Sequence, residues 1–201
     1  MSKVFFTSDL HFGHANAIKF DNRGFDSVEE MDAELIRRWN NKVAKDDLVY
    51  VLGDMIWKSR NNDACEILNQ LNGQIILIKG NHDRFIKNAK AKKMLAGIKE
   101  QDDICVTLNN GTKCRVILSH YFMPFYVGYR YGAVHLHGHS HNSKECKIER
   151  VIAKTLRLLG YKVRIFNVGC MHWNLEPVTL DEILETENEG IFKKWKRRFT
   201  A

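Results

Sequence analysis

The sequence has no run of apolar residues long enough to cross a membrane, since a spanning helix needs about 20 of them. Its first residues, Met-Ser-Lys-Val-Phe-Phe-Thr-Ser-Asp, contain too short an apolar run for a signal peptide. The five cysteines are scattered and form no Cys-x-x-Cys pair, which argues against a cysteine zinc site and favours a reducing compartment. These absences predict a cytoplasmic protein with no membrane partner.

Proline is also scarce, with two residues in 201, whereas 44% of the residues are hydrophobic. This composition is ordinary for a folded globular protein and gives no indication of disorder. The sequence contains no internal repeat, low-complexity segment or linker, so the whole chain, 1–201, is predicted to form one domain. The composition leaves the oligomeric state open.

Positive charge is in excess, with a formal net charge of +7 and a pI of about 9.1. The basic residues form two clusters: Lys87, Lys90, Lys92 and Lys93, and then Lys193, Lys194, Lys196, Arg197 and Arg198. A basic surface attracts polyanions such as nucleic acid without sequence specificity. Basic tails also serve solubility alone, so both interpretations of the charge stay open.

The first half of the sequence alternates short apolar runs with polar turns and helical patterns. Residues 48–52 and 75–78 are continuous apolar runs that stop at glycine-containing polar turns, which is typical of strands covered on both faces. Ser27 followed by Glu30 is a capping-box pattern that predicts the start of a helix. The repeated order of strand, turn and helix predicts an α/β fold.

The second half predicts a hairpin, two further strands and two helices. The hairpin spans 104–118, because the central Asn-Gly pair tolerates the positive φ of a tight turn. Strands are predicted over 134–136 and 163–168, and a helix over 151–159. Near the end of the chain, apolar residues at helical spacing predict a helix docked on the rest of the fold: Ile191, Phe192, Trp195 and Phe199.

Seven residues with metal-ligating side chains lie at or just after the ends of predicted strands: Asp9, His11, Asp54, Asn81, His120, His139 and His141. In an extended chain, residues i and i+2 point the same way, so each Asp-x-His or His-x-His pair is expected to reach one metal. Oxygen and imidazole donors without a thiolate suit Mn, Fe, Zn or Co rather than calcium. A lone histidine such as His135 or His172 is more often a hydrogen-bonded structural residue.

Five segments in this order resemble the five motifs of the calcineurin-like metallophosphoesterases: Asp9-Leu10-His11, Gly53-Asp54, Gly80-Asn81-His82-Asp83, Ser119-His120 and Gly138-His139-Ser140-His141. The resemblance implies an α/β fold built as a four-layer α-β-β-α sandwich with mixed sheets and two divalent metal ions at the strand ends. The implied ligands of the first ion are Asp9, His11 and His141. Those of the second are Asn81, His120 and His139, and Asp54 bridges both ions.

The resemblance also implies a reaction, the hydrolysis of a phosphate ester by in-line attack of a hydroxide that bridges the two metal ions. His82 is expected to protonate the leaving oxygen or to stabilise its developing charge. Asp83 is a candidate to orient His82. His14, which extends the first motif, is a candidate to face the phosphate.

The sequence departs from the protein Ser/Thr phosphatases of this superfamily, because no Asp-Arg-Gly continuation follows Gly53-Asp54. Lys58 and Arg60 are candidates to supply the missing positive charge, although exposed loop cations are the simpler interpretation. The closer likeness is to small bacterial and phage phosphoesterases that begin with a similar Asp-Leu-His-Phe-Gly-His run.

An aromatic segment, 121–132, follows His120. Aromatic side chains with an arginine can stack a nucleobase, which makes Tyr126, Tyr129 and Arg130 candidates for substrate contact; they could equally wall a pocket or cover the core. The expected substrate is a small phosphate ester, preferably a diester of nucleotide type. Two alternatives remain, a nuclease acting on single-stranded nucleic acid and a non-catalytic, metal-stabilised binding module.

Overall fold

The computed structural model describes residues 2–57 and 63–188. The strands are β1 (Val4–Thr7), β2 (Leu48–Val51), β3 (Gln74–Ile78), β4 (Gly97–Lys99), β5 (Gln101–Thr107), β6 (Lys113–Ser119), β7 (Val134–His137), β8 (Arg164–Asn167) and β9 (Val178–Thr179). The α-helices are α1 (Ala15–Asp21), α2 (Val28–Lys42), α3 (Asp63–Gln70), α4 (Ala89–Met94), α5 (Lys144–Leu158) and α6 (Leu180–Asn188). Short 3-10 helices span Arg84–Lys87, Tyr129–Tyr131 and Cys170–His172. Lys58, Arg60 and the helix predicted over 191–199 lie outside the described residues.

The first sheet has the strand order β4-β3-β2-β1-β9, in which β1 to β4 are parallel and β9 is antiparallel to β1. The side chains of β1 alternate between its two faces, as the pleat of a strand requires. Phe5 packs with the helices, whereas Phe6 packs toward the second sheet. In β2, Val49 packs with the helices and Tyr50 packs toward the second sheet, so both faces are covered, as the apolar run 48–52 predicted.

The second sheet has the order β5-β6-β7-β8. Strands β5 and β6 form the predicted antiparallel hairpin, with Gly111 at φ 82° in its turn. Strands β6, β7 and β8 are parallel to one another. Each sheet thus combines parallel and antiparallel pairing.

The core consists of three apolar layers, which separate four layers of secondary structure. The first lies between the first sheet and helices α1 to α4, and Trp39 of α2 is its largest side chain. The second lies between the sheets and includes Phe6, Leu118 and Leu136. The third lies between the second sheet and α5, where Ala153 packs near Ile165. The predicted four-layer α-β-β-α sandwich with mixed sheets is confirmed.

Side-chain caps fix where two of the helices begin. The Ser27 hydroxyl accepts a hydrogen bond from the Glu30 amide, as the capping pattern predicted. Helix α5 begins earlier than the predicted 151–159, because Ser143 caps the amides of Glu145 and Cys146. In the described part of the chain, no helix combines the length and apolar character needed to cross a bilayer.

Candidate metal centre

All seven predicted ligands lie in loops at the carboxyl ends of parallel strands from both sheets. Backbone hydrogen bonds join these loops directly: the Asp9 amide donates to the Gly53 carbonyl, and the His11 amide donates to the Asp54 carbonyl, both at 3.0 Å. The sheets meet at the same place, since the His139 amide donates to the Asp9 carboxylate at 3.0 Å. The fold therefore collects the predicted ligands at one edge.

The first group of donor atoms comes from Asp9, His11, Asp54 and His141, whose ligand atoms all lie within 4.8 Å of one another. The Nε2 atoms of His11 and His141 are 3.1 Å apart. His141 Nε2 lies 3.5 Å from Asp9 Oδ1, and His11 Nε2 lies 3.8 Å from Asp54 Oδ2. These are the residues expected around the first ion, together with the expected bridge.

The second group comes from Asn81, His120 and His139. Asn81 Oδ1 lies 2.9 Å from His120 Nε2 and 3.1 Å from His139 Nδ1, and the two imidazole nitrogens are 3.2 Å apart. His120 Nε2 is also 3.7 Å from Asp54 Oδ2. The same carboxylate oxygen therefore faces both groups.

The donor atoms fit divalent cations in spacing and in chemistry. Ligands bonded to one ion at about 2.0–2.2 Å stand about 3 Å from their neighbours, which is the spacing observed within each group. Asp9, His11 and Asp54 are almost fully buried. Burial raises the pKa of Asp9 and lowers the pKa of His11 to about 2. Buried donors of this kind are costly without a cation.

The backbone conformation brings the donors together. Among the described residues, eight other than glycine have positive φ, and five of these are predicted ligands: Asp9 (57°), His11 (54°), Asp54 (53°), His139 (68°) and His141 (46°). The expectation that each ligand pair converges because its chain is extended is therefore wrong. At these five ligands the left-handed conformation turns the side chain into the cluster, at a conformational cost.

Two glycines that precede ligands allow backbones to approach closely. A Cβ atom at Gly80 would lie 2.4 Å from Asp54 Oδ1, and one at Gly138 would lie 1.9 Å from Ser8 Oγ and 2.5 Å from Asp9 Oδ2. No real Cβ atom tolerates such contacts. The glycines of the Gly-Asn and Gly-His motifs are thus required by the packing of one ligand loop against another.

Asp83 was a candidate to orient His82, but its carboxylate instead holds two ligand loops together. Its carboxylate accepts hydrogen bonds from the amides of Asp54 (2.9 Å), Met55 (2.9 Å) and Gly80 (2.7 Å). Burial raises the pKa of Asp83 to about 6. One buried side chain therefore fixes the loop after β2 against the loop after β3.

His82 is half-buried beside the ligand groups. Its amide donates to Asp54 Oδ1 at 2.8 Å, which anchors the backbone at this position. Its ring lies 6.1 Å from the ring of His11 and 4.5 Å from that of Trp57, measured between centroids. This placement is compatible with a proton donor that faces a bound ester without being a ligand.

Asp21 and Arg23 support the first donor group, and sequence reasoning missed both. Asp21 Oδ2 lies 3.0 Å from His141 Nδ1 and 2.9 Å from Arg23 Nη2. Arg23 also donates to the carbonyls of Asp9 and Leu10, both at 2.7 Å. Burial alone would lower the pKa of His141, but the hydrogen bond to Asp21 and the charge of Asp9 raise it overall. A carboxylate on the second ring nitrogen fixes the orientation of a ligating imidazole.

His14 stacks on Trp57 with ring centroids 3.7 Å apart and an interplanar angle of 9°. Its Nδ1 atom is buried without a hydrogen-bond partner among the described residues. Its ring is also 5.3 Å from that of His11. His14 therefore backs the wall of the site that Trp57 forms.

The aromatic segment is largely displaced from the donor atoms, which corrects the predicted contact of Tyr126 with substrate. Tyr126 is 7% exposed, and its hydroxyl donates to the Ala133 carbonyl and accepts from the Arg164 amide. These partners lie at the amino-terminal ends of β7 and β8, opposite the ligands. Arg130 Nε donates a hydrogen bond to the hydroxyl of Tyr129, whose ring lies beside that of Tyr126. Because β6 and β7 are parallel, the connection must run back along the sheet.

His135 has the structural role that was expected of a lone histidine. Its Nδ1 lies 3.1 Å from the Ile117 carbonyl, and its Nε2 accepts a hydrogen bond from the Met123 amide at 3.1 Å. Both ring nitrogens are therefore engaged by backbone groups.

The chain is similar to known proteins both in sequence and in fold. A family model described as calcineurin-like phosphoesterase matches residues 2–146. An uncharacterized protein of Methanocaldococcus jannaschii is 33% identical over 94% of each chain, and the Gene 66 protein of Mycobacterium phage D29 is 31% identical over 94% of this chain and 98% of its own. A crystal structure of a protein of unknown function from Aquifex aeolicus is similar in fold, with a TM-score of 0.64 and 21% identity over 92% of this chain and all of that one.

Proposed function

The chain belongs to the calcineurin-like phosphoesterase family, and on this premise we propose that it hydrolyses phosphate esters, preferably diesters, using two divalent metal ions. The observation that carries the proposal is the position of Asp54 Oδ2, which lies 3.8 Å from His11 Nε2 and 3.7 Å from His120 Nε2. One carboxylate oxygen shared by two donor groups is suited to bridge a pair of ions.

Divalent ions at these ligands would neutralise the charge of a phosphate and activate water for attack on phosphorus. The chain's own residues hold the geometry. Asp83 fixes the loops that carry Asp54 and Asn81, and Asp21 holds the imidazole of His141. Burial of Asp9, His11, Asp54 and His120 keeps bulk water away from these donors, which strengthens electrostatic interactions at the phosphate.

The proposed proton donor is His82. Its ring stands beside the donor groups, and its backbone is fixed by the bond to Asp54. A ring nitrogen of His82 would give its proton to the leaving oxygen as the bond to phosphorus breaks. This role distinguishes the protein from a non-catalytic, metal-stabilised module, which has no need of a histidine beside the ligands.

Metal analysis combined with turnover tests the proposal. Manganese-loaded protein is expected to bind two ions and to hydrolyse bis-p-nitrophenyl phosphate faster than p-nitrophenyl phosphate. Asp54→Asn is expected to reduce metal content and turnover together, and His82→Ala to reduce turnover by roughly a hundredfold or more at normal metal content. Asp103→Asn, on the exposed edge strand β5, is the matched control. Full activity in both site variants would refute the assignment.

A polynucleotide substrate is the second candidate, supported by the exposed lysines Lys90, Lys92 and Lys93 on α4. Binding of a single-stranded oligonucleotide should then weaken steeply as salt concentration rises. Replacing these three lysines by glutamine should flatten that dependence. Failure to turn over any ester with Mn, Fe, Zn or Co would instead favour the binding module.

A further inference from the structure

Trp57 is an exposed tryptophan at the edge of the metal centre, with 39% of its surface accessible. One face of its indole stacks on His14. Its ring also lies 4.5 Å from the ring of His82, at an interplanar angle of 49°. A large apolar ring is thus exposed next to the proposed proton donor, and neither metal binding nor proton transfer requires it.

The backbone of Trp57 is hydrogen-bonded to the loop that follows β1. Phe12 and Ile56 form a β-bridge, and the Trp57 amide donates to the Phe12 carbonyl at 3.0 Å. The His14 ring then supports the indole from one side. Rings held in place in this way bind flat ligands with little loss of side-chain entropy.

Two other exposed aromatic side chains, Phe20 and Tyr121, border other donor residues of the metal centre. Phe20 contacts the ring of His141 edge-on at 4.8 Å, and Tyr121 contacts the ring of His139 at 4.7 Å. Trp57 is distinguished by its contact with His82. The oxygen that receives a proton from His82 belongs to the leaving group, so the organic part of that leaving group must lie close to Trp57.

We infer that Trp57 is the platform for a planar leaving group, and that the substrate is a diester whose leaving alcohol carries a nucleobase or a similar flat ring. The inference rests on the proposed function, since it takes His82 as the proton donor. Stacking of a base on an aromatic side chain changes affinity by roughly five- to a hundredfold. Trp57 thereby takes the place that sequence reasoning gave to Tyr126.

Four dinucleotides test the inference. The parent is a deoxydinucleoside monophosphate with two adenines. Two versions each lack one adenine, because one sugar is an abasic tetrahydrofuran, and the fourth version lacks both bases. The leaving alkoxide is chemically matched throughout, so its basicity does not differ. Product analysis shows which ester oxygen leaves. In the wild type, removal of the base on the leaving side should lower kcat/KM by roughly five- to a hundredfold, whereas removal of the other base should have a smaller effect.

The ratio between substrates with and without the leaving-side base is the critical readout. This ratio should fall to near one in Trp57→Leu and be partly restored in Trp57→Phe. Tyr131→Leu, which changes a tyrosine that is 93% exposed on the aromatic segment, should keep the wild-type ratio. An equal loss for all four substrates in Trp57→Leu would show that the indole only packs against His14 and His82, and would overturn the inference.

Calorimetric binding of the same dinucleotides, measured in a His82→Asn background that slows turnover, separates this inference from the proposed function. Cleavage of all four dinucleotides at equal rates would uphold the phosphodiesterase and refute the platform. Base-dependent binding that disappears with Trp57→Leu, in a protein that cleaves neither the dinucleotides nor bis-p-nitrophenyl phosphate, would show a base-binding site but would refute both the phosphodiesterase and the role of Trp57 at a leaving group. If the protein shows no diester cleavage and no base-dependent binding, both the proposed function and the inference about Trp57 are refuted.

Discussion

Acidification should destabilise the protein through His135, a residue away from the metal centre. Its side chain is fully buried in β7, and burial lowers its pKa to about 4. Burial is the main cause; the Met123 amide, which donates to Nε2, also favours the neutral ring, whereas the Ile117 carbonyl at Nδ1 acts in the opposite direction. Protonation would place a hydrogen on Nε2, where the Met123 amide already points.

The sign and the size of the effect follow from linkage. The unfolded chain binds a proton at His135 near pH 6.5, whereas the folded chain binds one only near pH 4. Between these values the unfolded state holds more protons, so stability is fully present above about pH 6.5 and is lost as the pH falls through about 4. The shift corresponds to about 3 kcal/mol in total, of which about 2 kcal/mol is lost between about pH 7.5 and about pH 5.

Urea unfolding of wild type and His135→Gln, both with chelator to remove bound metal, measures this term. The variant loses hydrogen bonds and is less stable near neutral pH, but its side chain cannot be protonated. The difference in unfolding free energy between the two proteins should therefore be about 2 kcal/mol smaller at about pH 5 than at about pH 7.5. A difference that stays the same at both pH values would show that His135 does not titrate as its burial requires.

Three further predictions concern the residues that support the donor atoms. Gly138→Ala should lower the free energy of unfolding by roughly 2 kcal/mol or more, because its Cβ would collide with Ser8 and Asp9; thermal melts in chelator measure this. Asp83→Ala leaves three buried amides without an acceptor and should cost about 1–3 kcal/mol for each, as read from urea unfolding. Asp21→Asn should weaken metal binding by about 10- to 100-fold and should also lower the urea midpoint, because the buried Arg23 guanidinium loses its ion pair; unchanged metal affinity of the folded variant would exclude the role of Asp21 in positioning His141.

Local patterns were sufficient to predict the α/β class and the polar residues at strand ends, whereas the four-layer architecture was predicted from the resemblance of five motifs to a known family. The apolar run 48–52 predicted a strand covered on both faces, and Val49 and Tyr50 do pack on opposite faces of β2. Parallel strands present their carboxyl ends at one edge, so polar residues that follow them lie together. The ligand assignments themselves remain a prediction that metal binding has to test.

What the sequence could not provide are the interactions between distant residues. Asp21 contacts His141 across 120 positions of sequence, and no motif marks either Asp21 or Arg23. The role of Asp83 depends on which way its side chain turns after Asn81, which no periodicity specifies. The error over Tyr126 was avoidable, since two parallel strands joined by a connection require that connection to return to the far end of the sheet.

The left-handed conformation of five predicted ligands has a consequence for protein design and for sequence drift. Copying the ligand side chains onto another α/β scaffold would leave the donors aimed elsewhere, because the information lies in backbone torsions. The transferable unit is a whole loop with its glycine. The same torsions restrict substitution at Asp9, Asp54 and His139 to residues that tolerate positive φ, such as Asn or Gly, and disfavour Val or Ile regardless of charge. Lineages that lose metal binding should therefore keep the shape of these loops after losing their chemistry.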